Sequence, residues 1–259
     1  MSPRIAVMDF RIKRQLAVIG VFLAVILIPV FFSIYLWFPT ASCQDNRRNQ
    51  GEEGIDCGGP CASCALKNPQ AVNVFWARFV SVREGSYDAV AEVKNPNIKL
   101  GAEEIEYEFQ FFDDSDILVA RRIGRSFLYP GETAHFVESN ITTGRTISRV
   151  LFAVRGVSWV FTDRIPPDVA VGDRKLVVSG EKRETTVTAT LLNRSLGDFK
   201  EVTVSALVFD QEENILAVSK TVEKDVRAGG ERRIFFSWPG AVEQDNVFVA
   251  LEPRVNILR

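Results

Sequence analysis

Four cysteines, Cys43, Cys57, Cys61 and Cys64, fall within one stretch, CQDNRRNQGEEGIDCGGPCASC, and no other cysteine occurs in the 259 residues. Such side chains can bind a soft metal as thiolates, cycle between dithiol and disulfide, or staple the backbone. Their spacing is C-x13-C-x3-C-x2-C, which lacks one of the two short arms that a four-cysteine zinc site usually uses. A redox pair at Cys61 and Cys64 would need a helix N-terminus to lower a thiol pKa, and the flanking residues do not supply one. Two disulfides use all four cysteines with none left over. Three pairings are possible; links from Cys61 to Cys57 or to Cys64 are short, which favours Cys43–Cys61 with Cys57–Cys64. Asp45, Glu52, Glu53 and Asp56 lie in the same loop and are candidate calcium ligands, because hard cations take loop carboxylates.

The other chemistry-bearing residues offer little that could converge. His135 is the single histidine, on a stretch that reads as the entry to a strand. No G-x-S-x-G, H-E-x-x-H or phosphate-cradling glycine loop occurs. Asp113, Asp114 and Asp116 could pair as carboxylates or hold calcium, but acids clustered at a hairpin tip usually mark a solvated turn. Asn140-Ile141-Thr142 and Asn193-Arg194-Ser195 are formal glycosylation sequons. Lys and Arg total 31 against 33 Asp and Glu, for a net charge of −2. With the two signs interspersed, there is no electrostatic footprint for nucleic acid. We therefore expect no enzyme, no cofactor and no nucleic-acid partner.

The compartment decides between thiol chemistry and crosslinks, and the N-terminal residues set it. Leu16 to Phe38, LAVIGVFLAVILIPVFFSIYLWF, carries no charge. At about 1.5 Å per residue it makes roughly 35 Å of helix, enough to cross a hydrocarbon core of about 30 Å. Pro29 inside it is tolerable when neighbouring groups satisfy the freed carbonyl. Arg4, Arg11, Lys13 and Arg14 precede the span against Asp9 alone. The positive-inside rule then makes residues 1–15 a cytoplasmic stub and puts everything after Phe38 outside; Tyr35 and Trp37 suit the outer interface. A cleaved secretory signal would have an apolar run of only about 7–15 residues. A lipoprotein signal would acylate Cys43 after Thr40-Ala41-Ser42, with Thr40 where an aliphatic residue is usual. All these readings export the rest of the chain. The expectation is a signal-anchored, single-pass protein of the plasma (inner) membrane, its cysteines in an oxidising compartment that favours disulfides.

From Ala71 onward the chain is rich in short alternating runs of Val, Phe, Ile and Thr punctuated by Gly, Pro, Asn and Asp. Glu104 to Phe111 alternates polar and apolar throughout, the period of a half-buried strand, and Glu201-Val202-Thr203-Val204 begins the same way. The halves also echo each other at spacings of 97 to 99 residues. Val93-Lys94-Asn95 is answered by Leu191-Leu192-Asn193, and Phe111-Phe112-Asp113 by Val208-Phe209-Asp210. Pro130-Gly131-Glu132 with Phe136 is answered by Gly229-Gly230-Glu231 with Phe235, and Val150-Leu151-Phe152 by Val247-Phe248-Val249. Four echoes in one order imply a tandem duplication. Each copy offers about seven short strands in roughly 90 residues, as in an immunoglobulin-like sandwich.

The expected strands are 72–82, 87–94, 104–113, 116–122, 133–139, 146–154 and 157–162, then 174–179, 185–192, 200–210, 214–220, 231–237, 246–251 and 254–258. The copies span 71–162 and 173–259, with a linker at 163–172 stiffened by Pro166-Pro167. The expected core is Trp76, Phe109, Phe111, Phe136, Phe152 and Trp159 in the first, and Val187, Leu191, Val204, Phe235 and Trp238 in the second.

Ala91-Glu92-Val93-Lys94-Asn95, Glu108 to Asp113 and Leu128 to Phe136 together resemble the FxLYD-type domains of bacterial envelope proteins. Those carry a V-x-N strand end, a YD-x-x-G hairpin and an L-x-P-G-E-x-x-x-F strand entry. Here Phe112 stands for the usual Tyr, Asp113-Asp114-Ser115-Asp116 replaces the glycine turn, and the second copy has Ala228-Gly229-Gly230-Glu231. The resemblance implies a small extracytoplasmic sandwich used for binding or spacing. Cys43 to Cys64 is similar to a cysteine motif of exported bacterial proteins, matching at Cys43, Asp45, Asn49, Glu52, Gly54, Asp56, Cys57, Gly58, Gly59, Cys61 and Cys64. Asn46 replaces its usual glycine and can adopt the same left-handed backbone. That likeness implies a small stapled module, residues 43–64.

The expected architecture is thus an all-β ectodomain of two tandem immunoglobulin-like sandwiches after one transmembrane helix and a disulfide-rich segment. The expected role is a membrane-anchored binding or scaffolding protein that presents both sandwiches to an envelope or surface protein. The alternative is an accessory subunit of an envelope transport, secretion or surface-polymer complex, assembled through its membrane helix.

Overall fold

The computed structural model describes residues 10–37, 42–179, 184–240, 242 and 247–258. The chain divides into two compact units, Met1–Cys64 and Ala65–Arg259.

In the first unit, helix α1 runs from Phe10 to Trp37, 28 residues. Its stretch Arg11–Ile34 has a mean hydropathy of 2.9 and is long and apolar enough to cross a membrane. Pro29 lies inside without ending it. The helix starts earlier than Leu16, so Arg11, Lys13 and Arg14 belong to its first turns and not to a separate stub. Arg, Lys and Gln are good helix formers, which lets the apolar run extend backwards through them. Arg4, Phe38, Thr40 and Ala41 lie outside the described residues.

The second unit is built from antiparallel strands. The first copy holds β1 (Asn73–Arg83), β2 (Ser86–Lys94), β3 (Leu100–Phe112), β4 (Leu118–Leu128), β5 (Thr133–Thr142) and β6 (Arg149–Phe161). The second holds β7 (Val169–Ser179), β8 (Glu184–Asn193), β9 (Phe199–Phe209), β10 (Ile215–Val226), β11 (Glu231–Trp238) and β12 (Phe248–Arg254). They form four three-stranded sheets, β1-β2-β5 and β4-β3-β6, then β7-β8-β11 and β10-β9-β12. Counted within each copy, the strand order is the same twice, so the repeat seen in the residues is also a repeat of topology.

Each copy has six described strands, not seven. The runs 146–154 and 157–162 are one strand, β6, that skips Arg155 in a bulge: Tyr107 pairs with Val154 and Glu106 with Gly156. Such a bulge breaks the alternation and imitates a strand end. In the second copy only β12 remains, and Val255 to Leu258 is not a strand; Asn246 and Arg259 lie outside the described residues. The linker is shorter than 163–172, because β7 already begins at Val169.

Two apolar clusters follow from strand alternation, which sends every second side chain to one face. The first joins Ala89, Ala91 and Val93 of β2 to Tyr107, Phe109 and Phe111 of β3 and Phe136 of β5, so both sheets share one core. Phe152 and Trp159 are only partly buried against it. The second joins Val187 and Leu191 to Val204, Ala206, Phe236 and Trp238. Phe235 is a correction: it is 58% exposed, and its neighbour Phe236 is buried. Val93 pairs with Ala134 and Leu191 with Arg232, so Phe136 corresponds to Ile234 at a spacing of 98. A register error of one residue moves a side chain to the opposite face.

Candidate functional site: docked faces and open edges

In the cysteine segment, Cys43 pairs with Cys61 and Cys57 with Cys64. With its sulfur bonded to Cys61, Cys43 presents no thiol to acylate. Gly58 and Gly59 have positive φ of 78° and 58°. A Cβ on Gly59 would lie 2.6 Å from the Gly51 carbonyl oxygen, so only glycine fits at this position. Asn46 takes the left-handed φ of 57°.

The four acids of this loop mostly close turns. Both Asp56 oxygens accept from the Asn46 N–H at 3.0 and 3.1 Å. Buried Glu52 accepts through Oε2 from the Asn49 and Asp56 N–H groups at 3.2 and 3.1 Å. Asp45 accepts from the Asn49 side-chain amide at 2.7 Å; that amide, with the backbone N–H groups of Arg47 and Ser42, holds its carboxyl below the usual carboxylate range. Glu53 is exposed. Among the described residues, the one group of Cys, His, Asp and Glu ligand atoms lying within 4.8 Å of each other is Cys43, Glu52 and Cys61. Its sulfurs are joined in a disulfide and are not the thiolates that metals take.

The hairpin acids likewise serve the backbone. Asp113 Oδ1 accepts from the N–H groups of Ser115 and Ile117, and its other oxygen pairs with Arg145. Asp210, at the same place in the second copy, accepts from Glu212 and Asn214 N–H groups. Its carboxyl is held low, chiefly by the Asn214 side-chain amide. Asn193 is fully buried and its amide donates to the carbonyls of Gly197, Val226 and Arg227; that sequon is a structural tie. Asn95 does the same in the first copy, donating to Leu100 and Tyr129 carbonyls.

A third apolar cluster joins the copies. Val90 of β2 and Val137 of β5 meet Leu207 of β9 and Val218 of β10, flanked by Trp76, Phe209, Ile215 and Ala250. Fully burying each such side chain contributes about 1.5–3 kcal/mol relative to exposing it. Polar contacts ring this seam. Glu138 is buried and accepts from Tyr107 Oη at 2.9 Å, Arg122 Nε at 3.0 Å and, from the second copy, Lys220 Nζ at 2.9 Å. Burial alone would push its carboxyl up, but the Lys220 ammonium and the three donors outweigh that and hold it below the usual range. Burial and the neighbouring Glu138 charge push the Tyr107 hydroxyl far up, so it stays a donor.

His135 Nδ1 lies 2.8 Å from Glu252 Oε1 across the seam, with its ring 5.5 Å from that of Trp76. Arg254 reaches from β12 to Glu132 at 3.0 Å and stacks over Phe127 at 4.3 Å. Tyr129 Oη donates to the Val255 carbonyl at 2.6 Å and accepts from the Ile257 N–H at 3.3 Å. The lone histidine is thus a seam contact.

Each copy also has an open side, between its first and last strands. β1 and β6 are paired on one side only, and so are β7 and β12. A groove of about 420 Å³ lies between β1 and β6, lined by Ala77, Arg78, Phe79, Arg149, Val150 and Ile215 among others. A smaller one, about 260 Å³, lies between β7 and β12, lined by Arg174, Lys175, Leu176, Phe248 and Val249 among others. Arg174 bridges the smaller groove, donating to the Val249 carbonyl at 3.0 Å.

No protein-family model matches the chain, and no curated protein matches it. Among solved structures it is similar to a crystal structure of red sea bream transglutaminase, with a TM-score of 0.23 and 11% identity over 73% of this chain. The match spans 30% of that protein's length, and a likeness so slight carries no argument about fold or activity.

Proposed function

We propose that the chain is a non-enzymatic, membrane-anchored extracytoplasmic scaffold whose two β copies, each an immunoglobulin-like sandwich, offer one joined surface to an envelope protein. The observation that supports it most is the seam. A cluster buried on both sides, ringed by Glu138–Lys220 and His135–Glu252, makes one platform from two repeats, as a binding scaffold needs. The strand order β1-β2-β5 and β4-β3-β6 suits an immunoglobulin-like sandwich without its last strand. Helix α1 supplies the anchor in the plasma membrane, and the basic residues ahead of the apolar span put its N-terminus in the cytoplasm. The stapled segment 43–64 makes a compact, protease-resistant joint, too small to fold on an apolar core and so dependent on crosslinks. With no family model matching, the FxLYD-type resemblance carries no part of this reading.

The test is cross-linking in intact membranes followed by mass spectrometry, with the wild type, a chain lacking residues 71–259, and one with Leu16–Phe38 replaced by an unrelated anchor. Loss of specific partners on removing the β copies, but not on replacing the helix, is the expected result. Loss on helix replacement alone would favour an accessory subunit assembled through α1, and recovery of no specific partner would end the scaffold reading.

A further inference from the structure

We propose that the free edge of β6, from Arg149 to Val154, together with the groove between β1 and β6, binds an extended acidic-apolar segment of a partner protein by strand addition. This deepens the scaffold reading and rests on it. Three observations converge on the site. First, β6 pairs with β3 on one side only, which leaves a row of backbone donors and acceptors facing outward. Second, the core is uncovered along this edge. Val150, Phe152, Val154, Val157 and Trp159 pack on the first cluster yet are only partly buried, whereas Phe109, Phe111 and Ile105 of the neighbouring β3 are fully buried. A strand beside β6 would cover them.

Third, the charged side chains that line the groove are cationic. Arg78 and Arg149 line it, and no carboxylate does. Arg78 donates to the Glu213 carbonyl oxygen, stacks over Trp76 at 4.9 Å and lies near the Asp210 carboxylate. Arg149 pairs with Asp116, an ion pair exposed on both sides, 42% and 76%. Exposed pairs of this kind contribute about 0–1 kcal/mol, so an incoming carboxylate can displace Asp116. The incoming segment would place alternate apolar side chains into the groove and its carboxylates against the two guanidinium groups, in the manner of other edge-strand recognition.

The same features argue against a second copy of this chain as occupant. A second copy's edge from Arg149 to Val154 carries one arginine and no carboxylate, so it offers nothing to the two guanidinium groups. The matching groove of the second copy is bridged by Arg174 and Val249, which leaves the first copy as the receptive one.

The experiment selects a displayed library of random peptides, each as long as β6, against the full chain in lipid nanodiscs. Enriched sequences are then synthesised with and without proline in place of a central residue. Enrichment of peptides alternating apolar residues with Asp or Glu is expected, with amide exchange at Arg149–Val154 slowed about tenfold or more by the parent peptide and unchanged by the proline form. Arg78→Glu with Arg149→Glu should weaken binding about tenfold or more, with the near-UV circular dichroism of the chain unchanged. No enrichment, enrichment of acid-free peptides, or protection elsewhere in the chain would overturn the site. Protection at β6 that rises with protein concentration in the absence of peptide would assign the edge to self-association and overturn it too. If membrane cross-linking still captures specific partners through the β copies when Arg78→Glu with Arg149→Glu is present, the groove fails while the scaffold reading stands.

Discussion

Strands β2 and β8 hold the same place in the two copies, yet their burial differs. β8 alternates without interruption, with Thr185, Val187, Ala189 and Leu191 buried and Thr186, Thr188 and Thr190 half-exposed. β2 is buried on both faces from Ser86 to Ala91, because one face meets its own core and the other meets the second copy. The cores differ as well. The inward face of β3 carries Tyr107, Phe109 and Phe111; Tyr107 packs on Phe136, Phe109 on Phe152, and Phe111 on Phe109. The matching face of β9 carries Val204, Ala206 and Val208, and ring volume comes from Phe236 and Trp238 on β11. By strand pairing, Phe236 stands where the first copy has Glu138. One topology therefore tolerates an aromatic β3 face with the buried Glu138 carboxylate, and an aliphatic β9 face with Phe236 in that carboxylate's place. What distinguishes the copies is the sheet each uses to dock: the first meets its neighbour through β2 and β5, the second through β9 and β10.

The largest test of that contrast is Phe109→Ala, expected to lower unfolding free energy by about 3–5 kcal/mol in denaturant titration. Ala206→Phe, the reciprocal change in the matching place, should cost about 1–3 kcal/mol through overpacking. Equal small losses from both would mean that the cores are interchangeable. Next, a Cβ on Gly124 would sit 2.4 Å from the Tyr107 ring, which Glu138 and the surrounding rings hold in place. Gly124→Ala should therefore cost about 1–3 kcal/mol, while Thr221→Ala at the corresponding position of β10 should cost under about 0.5 kcal/mol. Similar losses at the two positions would show that the ring yields.

Glu138→Ala leaves the Tyr107 hydroxyl and Lys220 without their acceptor and should cost about 1–3 kcal/mol. A double-mutant cycle with Lys220→Ala should give a coupling of about 0.5–3 kcal/mol; zero coupling would place no energy in the contact between copies. The smallest effects concern pH, and their signs are opposite. The Glu138 carboxyl is held below its ordinary value, so its contribution is full above the unfolded pKa of about 4.3 and is lost as pH falls through the lower folded value. Burial pushes the Asp88 carboxyl up, against one N–H donor from Asn140. Its contribution is full below about 3.9 and is lost as pH rises through the higher folded value. Asp88→Asn should thus gain a little stability at neutral pH, and Glu138→Gln should lose some there. The same sign for both would contradict the two environments.

The legible parts of the sequence were those governed by local chemistry. The uncharged run before Phe38 announced a long apolar helix, but nothing in it marked where the basic residues would join. The spacing of the cysteines left one pairing without short loops. Asn95 and Asn193 were visible as an echo, though their role as buried ties between a strand end and the following hairpin emerges only from the carbonyls they meet. Phe235 reads as core from an echo at 99, whereas strand pairing sets the spacing at 98, and a single residue decides the face. The echo at Val150 also slipped: pairing matches it to Val249, and a slip of two kept the face. The seam was hidden because long-range docking has no period. Its one trace is the loss of alternation in Ala89-Val90-Ala91 and Ala206-Leu207-Val208, continuous apolar runs of the kind that two-sided burial produces.

The joining of the copies is tested most directly by amide hydrogen exchange on the full chain carrying Phe109→Ala. If the seam makes one platform, weakening the first core will also speed exchange at Leu207 and Val218 in the second copy. Unchanged exchange at those two residues, with faster exchange confined to β1 through β6, would show that the copies are independent and would contradict the account.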